Sequence, residues 1–146
     1  LIHRMKYGGQ LPITRILGCV LGRRLADRGT PQVDAIVPVP LFAGREHRRG
    51  YNQAREIAVF AARELGLPVH GRLARRIRET AEQTGLAAGA RRRNLRGAFT
   101  IEAGDVPSSV AIVDDVLTTG ATAESLALAL RRAGCRRIEV WAVARA

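Results

Sequence analysis

Thirteen residues constrain this chain more than any others: Val110 to Thr122, reading Val-Ala-Ile-Val-Asp-Asp-Val-Leu-Thr-Thr-Gly-Ala-Thr. Val110–Val113 is a short apolar run after Pro107-Ser108-Ser109, which predicts a buried strand of a parallel sheet. Two carboxylates follow where that strand is expected to end. A small-residue turn, Thr118 to Thr122, comes next, and then a helical pattern through Leu126, Ala129, Leu130 and Ala133. Strand, acidic pair, turn and helix in this order describe a binding site at the carboxyl edge of an α/β sheet.

The residue types divide the work. Thr118, Thr119, Gly120, Ala121 and Thr122 present backbone N–H groups ahead of a helix N-terminus, where the helix dipole favours a phosphate. Gly120 permits close backbone approach, and the threonine hydroxyls add donors. Asp114 and Asp115 would repel that phosphate, so they are assigned to hydroxyl donors such as the adjacent pair on a ribose. No Glu or Gln stands three residues after Thr118, Thr119 or Thr122. A capping box is therefore absent, and the turn's donors are expected to be available. The plainer alternative is a strand with an Asp-Asp end and a threonine-rich cap.

The segment resembles the 5-phosphoribosyl-1-pyrophosphate (PRPP) motif of type I phosphoribosyltransferases. That motif has four mostly apolar residues, two acidic ones, an apolar one, any residue, two Thr or Ser, Gly, any residue, and Thr or Ser. Every position of 110–122 fits. The resemblance assigns Asp114 and Asp115 to the ribose 2- and 3-hydroxyls and the turn at 118–122 to the 5-phosphate.

Composition sets the remaining bounds. A chain of 146 residues with 47% apolar content is expected to form one domain with its own core. No run is long enough to span a membrane. Leu1-Ile2-His3-Arg4 has no following apolar core, so no secretory signal is read, and a reducing cytoplasm is the expected compartment. The lack of Met at position 1 is read as the mark of a fragment or trimmed chain. Cys19 and Cys135 lie far apart with no Cys-x-x-Cys, so a zinc ribbon is not expected, and both read as small buried or half-buried thiols. The net charge of +11 is almost wholly arginine. Arginines at 72, 75, 76, 78, 91, 92, 93 and 96 face only Glu79 and Glu82 within that stretch. Such a block fits an anionic partner, a polyphosphate or a nucleic acid; a general arginine bias of the source is the competing account.

Upstream, Pro12 opens a helix whose stripe is Ile13, Ile16, Leu17, Val20, Leu21 and Leu25. Val33–Val37 reads as a strand stopped by Pro38-Val39-Pro40-Leu41. Arg45, His47, Arg48, Arg49 and Gly50 are read as a loop on the same sheet edge as the turn at 118–122, with guanidinium groups suited to a pyrophosphate. His47 is read as a surface histidine, with a ligand or base role as the alternative. Residues 51–65 form an amphipathic helix ending at Gly66, and at its start Asn52 and Gln53 either reach into the site or cap the helix. Residues 69–77 read as a strand in part, 78–86 as an exposed mobile segment, 91–96 as a short basic helix, 98–101 as a short strand and 137–144 as a last strand carrying a packed Trp141. The sum is an open α/β sheet with one excursion.

Further stretches narrow the resemblance. Val37-Pro38-Val39-Pro40-Leu41, Arg49-Gly50-Tyr51-Asn52-Gln53, Arg78, Thr80, Gln83 and Leu86, and Arg92-Arg93-Asn94 with Ala98-Phe99 are similar to the ComF family, the competence-type phosphoribosyltransferase homologues. The similarity runs from about Lys6 to the C-terminus. It implies a type I phosphoribosyltransferase fold, an open, mostly parallel sheet flanked by helices with a small flexible hood, over a single domain 1–146. It places a pyrophosphate loop at Pro38, Val39 and Pro40 with Arg45 and Arg49, and a covering loop at Arg78, Thr80 and Gln83. The four-cysteine zinc ribbon that begins many family members is not in this sequence. The implied chemistry is transfer of phosphoribose from PRPP to an unidentified acceptor with release of pyrophosphate. It would be assisted by Mg2+ that Asp114 and Asp115 hold indirectly, through ribose or water, with one of the two carboxylates orienting the acceptor or taking its proton. The alternative is a PRPP-binding DNA-uptake protein that contacts single-stranded DNA with little or no catalysis; least favoured is a plain nucleotide-phosphate scaffold. A homodimer is a further expectation left open.

Overall fold

The structure is a computed structural model and describes residues 11–78 and 96–146. Its centre is the apolar run expected to be a buried strand. Val110, Ala111, Ile112 and Val113 lie within strand Ser109–Leu117 and are fully buried. In chain order the elements are α1 (Leu11–Asp27), β1 (Ala35–Pro38), α2 (Ala43–Arg49), α3 (Gln53–Leu65), β2 (Ala74–Arg76), β3 (Phe99–Ile101), β4 (Ser109–Leu117), α4 (Ala121–Arg132) and β5 (Arg137–Arg145).

The main sheet has the order β1–β4–β5, with both pairings parallel. Ala35 faces Val110 and Pro38 faces Val113 across one ladder, while Val110 faces Ile138 and Val113 faces Trp141 across the other. The chain at 68–70 runs beside β1: the Ile36 N–H donates to the Pro68 carbonyl (2.9 Å) and the His70 N–H to the Ile36 carbonyl (2.8 Å). The second, smaller sheet is the antiparallel pair β2–β3, closed by bonds from Ile77 N–H to the Ala98 carbonyl and from Glu102 N–H to the Leu73 carbonyl (both 2.8 Å). The Arg76 guanidinium lies 5.5 Å from the centre of the Phe99 ring on this pair.

Alternation along β4 sorts the core into two layers. Val110 and Ile112 pack with Leu126 and Leu130 of α4, and with Ala74, Ala98 and Phe99 of the small sheet. Ala111 and Val113 pack on the other face with Ile57, Ala58 and Ala62 of α3, Trp141, and Ile13, Leu17, Leu21 and Leu25 of α1. Helices therefore cover both faces, as a parallel sheet requires.

The α1 stripe is narrower than its apolar residues imply. Ile16 and Val20 face outward, 60% and 45% exposed. Glycines complete the buried face instead. A Cβ on Gly18 would stand 2.7 Å from the Ile57 carbonyl oxygen, and one on Gly22 2.8 Å from that of Ala61. Residues four apart share a helix face, so the two glycines let the backbones of α1 and α3 approach.

At the amino end of the sheet Asp34 and Ser109 clasp the starts of β1 and β4. Ser109 donates its N–H (3.1 Å) and hydroxyl (2.9 Å) to Asp34 Oδ2, and the Asp34 N–H donates to the Ser109 carbonyl (3.0 Å). Arg136 and Arg137 N–H groups both donate to the Ser108 carbonyl (2.8 and 3.1 Å), which ties β5 to the same end.

Two expectations need correction. Residues 43–49, read as a loop, form α2, which ends where Gly50 adopts φ 77° and donates its N–H to the Glu46 carbonyl (2.8 Å). A left-handed glycine is a standard helix stop. The strand read as 110–113 continues through both aspartates to Leu117, because β5 pairs with Asp114, Val116 and Leu117.

Candidate functional site

The site follows from how the chain leaves two neighbouring strands. After β1 it passes to α3 on one face of the sheet, and after β4 to α4 on the other. Connections that diverge to opposite faces open a crevice at the carboxyl edge between the two strands. β1 ends at Pro38, opposite Val113, and β4 runs on. Asp114 and Asp115 therefore stand just above the end of β1, beside the loop Val39–Leu41, and both are half-buried.

Each carboxylate is held by the backbone that follows it. Asp114 Oδ1 accepts the Asp115 N–H and Asp115 Oδ1 accepts the Val116 N–H, each at 2.8 Å. These bonds fix the side chains at the mouth of the crevice as acceptors. An ionised carboxylate has two oxygens and about four lone-pair directions, and it only accepts hydrogen bonds, the role that hydroxyl donors require.

Beyond Leu117 the chain turns. Thr118 and Thr119 are exposed. Gly120, at φ 80°, is the N-cap of α4 with no side-chain cap. A side chain is disfavoured at that φ, which explains glycine here. The Glu124 N–H closes the first turn on the Gly120 carbonyl (2.9 Å). One donor expected to be available is engaged: the Ala121 N–H donates to Thr119 Oγ1 at 3.3 Å. Thr122, half-buried, follows on the first turn.

On the β1 side, Pro38 and Val39 are buried and Pro40 is half-buried. The Val39 N–H donates to the Val113 carbonyl (2.9 Å), joining the loop to the residue before the acidic pair. Arg45 and Arg49 lie four residues apart on α2, the short helix after that loop. Arg78 is exposed and donates to the Arg96 carbonyl, anchoring the base of the segment that follows β2. Thr80, Gln83 and Arg91–Arg93 lie outside the described residues, as do all of the expected mobile segment but Arg78 and all of the expected basic helix but Arg96.

The alternatives for Asn52 resolve into one position. Its Oδ1 caps α3 by accepting the Arg55 N–H (3.3 Å), and its Nδ2 donates to the Val39 carbonyl (3.0 Å). The sequence also left unread a cleft of about 1210 Å3 lined by Pro38, Pro40 and Leu41, to which Phe42, Arg55, His70, Arg72 and Arg75 also contribute. Gly71 was the available signal. A Cβ there would come within 3.3 Å of Arg55 Nε, the kind of close approach that a glycine in a strand-like stretch marks.

These features define the class: an α/β protein of the type I phosphoribosyltransferase fold. Solved structures share it. One is the glutamine PRPP amidotransferase from B. subtilis (TM-score 0.59, 21% identity, 88% of this chain and 26% of that one). Another is the purine phosphoribosyltransferase from Pyrococcus horikoshii (TM-score 0.53, 19% identity, 88% of this chain and 70% of that one). The chain belongs to the family of competence protein F. It is 40% identical to competence protein F of Haemophilus influenzae over 153 aligned residues, covering 100% of this chain and 67% of that protein. It is 36% identical to the DNA utilization protein YhgH of Salmonella typhi, covering 99% of this chain and 66% of that protein. The chain thus spans about two thirds of the length of these relatives. No protein-family model matches it. No helix among the described residues is long and apolar enough to cross a membrane.

Proposed function

We propose that this protein binds PRPP in the crevice between β1 and β4 and transfers its phosphoribosyl group to an acceptor, releasing pyrophosphate. The observation that carries this reading is the acidic pair above the end of β1, flanked by the proline loop on one side and the Gly120 turn on the other. Asp114 and Asp115 accept hydrogen bonds from the ribose 2- and 3-hydroxyls. The Thr118–Thr122 turn and the positive end of α4 take the 5-phosphate. The Val39–Leu41 loop borders the pyrophosphate, with Arg45 and Arg49 of α2 as its counter-charges.

In the reaction the C1–O bond breaks and pyrophosphate leaves with the electron pair. Positive charge develops on the ribose, and a lone pair on the acceptor forms the new bond to C1. Holding the ribose hydroxyls and both phosphate ends fixes C1 relative to the acceptor, which lowers the entropic part of the barrier. The donor set fits Mg2+ in a limited way. Asp114 and Asp115 are hard oxygen groups that would hold the ion indirectly, through the ribose hydroxyls or water, as suits an ion that keeps several waters and binds substrate oxygens. When bound, magnesium would neutralise charge on the leaving pyrophosphate.

Titration calorimetry with PRPP and magnesium tests the reading. Replacing both Asp114 and Asp115 by Ala removes charge-assisted hydrogen bonds worth about 1.5–3 kcal/mol each, so affinity should fall about a hundredfold or more. Equal affinity of parent and double variant would refute it. Pyrophosphate release followed by mass spectrometry across a panel of bases and amines identifies the acceptor.

A second reading rests on the names of the relatives, a competence protein and a DNA utilization protein, together with the arginine surplus. Here single-stranded DNA is the partner and catalysis is slight. Anisotropy of a labelled oligonucleotide should then show weak binding that falls steeply with salt and is reduced by replacing Arg91, Arg92 and Arg93 with Ala. Absence of binding at low salt removes this reading.

A further inference from the structure

The peptide of Val39 is held from both sides. Its N–H donates to the Val113 carbonyl (2.9 Å), the last one before the acidic pair, and its carbonyl accepts from Asn52 Nδ2 (3.0 Å). Proline has no N–H, so among residues 38–40 only Val39 can donate from its backbone. The prolines on either side also fix their own φ near −65°. Through its one donor and one acceptor the Val39 peptide is tied to β4 on one side and to the start of α3 on the other.

Asn52 holds the acceptor half of that arrangement and the start of α3 together. It is buried, 6% exposed, and its Oδ1 takes the Arg55 N–H (3.3 Å). Capping alone would be met equally well by Ser or Asp. The second bond needs a donor on the same side chain, which Asp lacks, and more reach than Ser has. An amide meets both demands, and a buried amide is stable only where its polar atoms are bonded.

We propose that Asn52 is a positioning residue for the pyrophosphate loop: it holds the Val39 peptide, and with it residues 38–41, at a fixed height beside Asp114 and Asp115. This rests on the PRPP reading above. It adds that the pyrophosphate end of the ligand, and not the ribose-phosphate end, depends on a side chain that touches neither.

The test separates those ends. Asn52→Ser keeps a cap and loses the donor to Val39. Asn52→Asp keeps the cap and sets a carboxylate oxygen against the Val39 carbonyl, a larger perturbation. Binding of PRPP, inorganic pyrophosphate and ribose 5-phosphate is measured by calorimetry with magnesium, alongside thermal melts. Affinity for PRPP and pyrophosphate should fall about tenfold in Asn52→Ser and further in Asn52→Asp, with ribose 5-phosphate changed less than about twofold. Should Asn52→Asp fail to fold, Asn52→Ser carries the comparison. If all three ligands weaken alike, or none does while the melting temperature drops, Asn52 is a cap only and the proposal is wrong. A parent protein that binds no PRPP removes the underlying reading as well. A parent that binds PRPP, with an Asn52→Ser variant that binds it equally well, removes this inference alone.

Discussion

Substituting Ala for Gly18 or Gly22 tests how α1 seats on α3. In a free helix the change would stabilise by about 1 kcal/mol, because alanine is the better helix former. Here the added methyl has no room. At Gly18 it would stand 2.7 Å from the Ile57 carbonyl oxygen and 2.8 Å from Phe60 Cβ; at Gly22 it would stand 2.7 Å from Glu64 Cβ and 2.8 Å from the Ala61 carbonyl oxygen. These are backbone atoms and the first atoms of side chains, so no rotamer change relieves them. The helices must move apart, exposing part of the contact made by Leu17, Leu21 and Ile57. Overpacking of this kind costs about 1–3 kcal/mol. Against the propensity gain, each single variant should lose up to about 2 kcal/mol net, or up to about 7 °C in Tm for a domain of this size. The double variant should lose less than the sum, because one outward shift of α1 relieves both clashes. Urea unfolding followed by circular dichroism at 222 nm measures all three. A midpoint raised in both single variants, as in a free helix, would refute the packing argument.

Gly44 gives the opposite expectation. Among the described residues its added methyl would meet the Phe42 ring at 3.6 Å, an ordinary contact. Gly44→Ala should therefore hold or raise the urea midpoint through helix propensity, and a loss above about 1 kcal/mol would contradict this. Burial pushes the Cys135 thiol above its ordinary pKa, opposed by weaker hydrogen bonding from the backbone. The folded state thus keeps its proton to higher pH than the unfolded state. The resulting stability is present below the unfolded pKa and is lost as pH rises through the folded one, so urea midpoints of the parent should decline over the alkaline range more than those of Cys135→Ala. Parallel pH profiles would contradict that.

Much of this architecture is legible in residue order, and the reasons differ by element. The strand at 110–113 is a continuous apolar run and the helices at 53–65 and 121–132 carry clear periodicity, and their burial follows it. Ile16 and Val20 mislead because an apolar residue counts toward a stripe wherever it falls, whereas the buried face is decided by which side meets α3. Gly18 and Gly22 carry the complementary information, but a glycine in a helical pattern reads as a weakness until its neighbour is known. Helix α2 has no apolar stripe to announce it; Gly50 stops it, and glycine after arginines reads equally well as loop. At the site, the acidic pair and the turn are adjacent in sequence and could be placed together. Their meeting with Val39 and Asn52 spans tens of residues and depends on the parallel pairing of β1 with β4. No local pattern encodes that pairing.

The clasp between Asp34 and Ser109 has a consequence for how such a protein can change. It secures the ends of β1 and β4 opposite the crevice, and the Ser108 carbonyl brings in β5. The rim at the carboxyl edge is thereby relieved of much of the duty of keeping the strands in register. Exposed residues there, such as Thr118 and Thr119, can be exchanged with small loss of stability. Substitutions at that rim and the pairing of the strands at the opposite end therefore need not compete for the same residues.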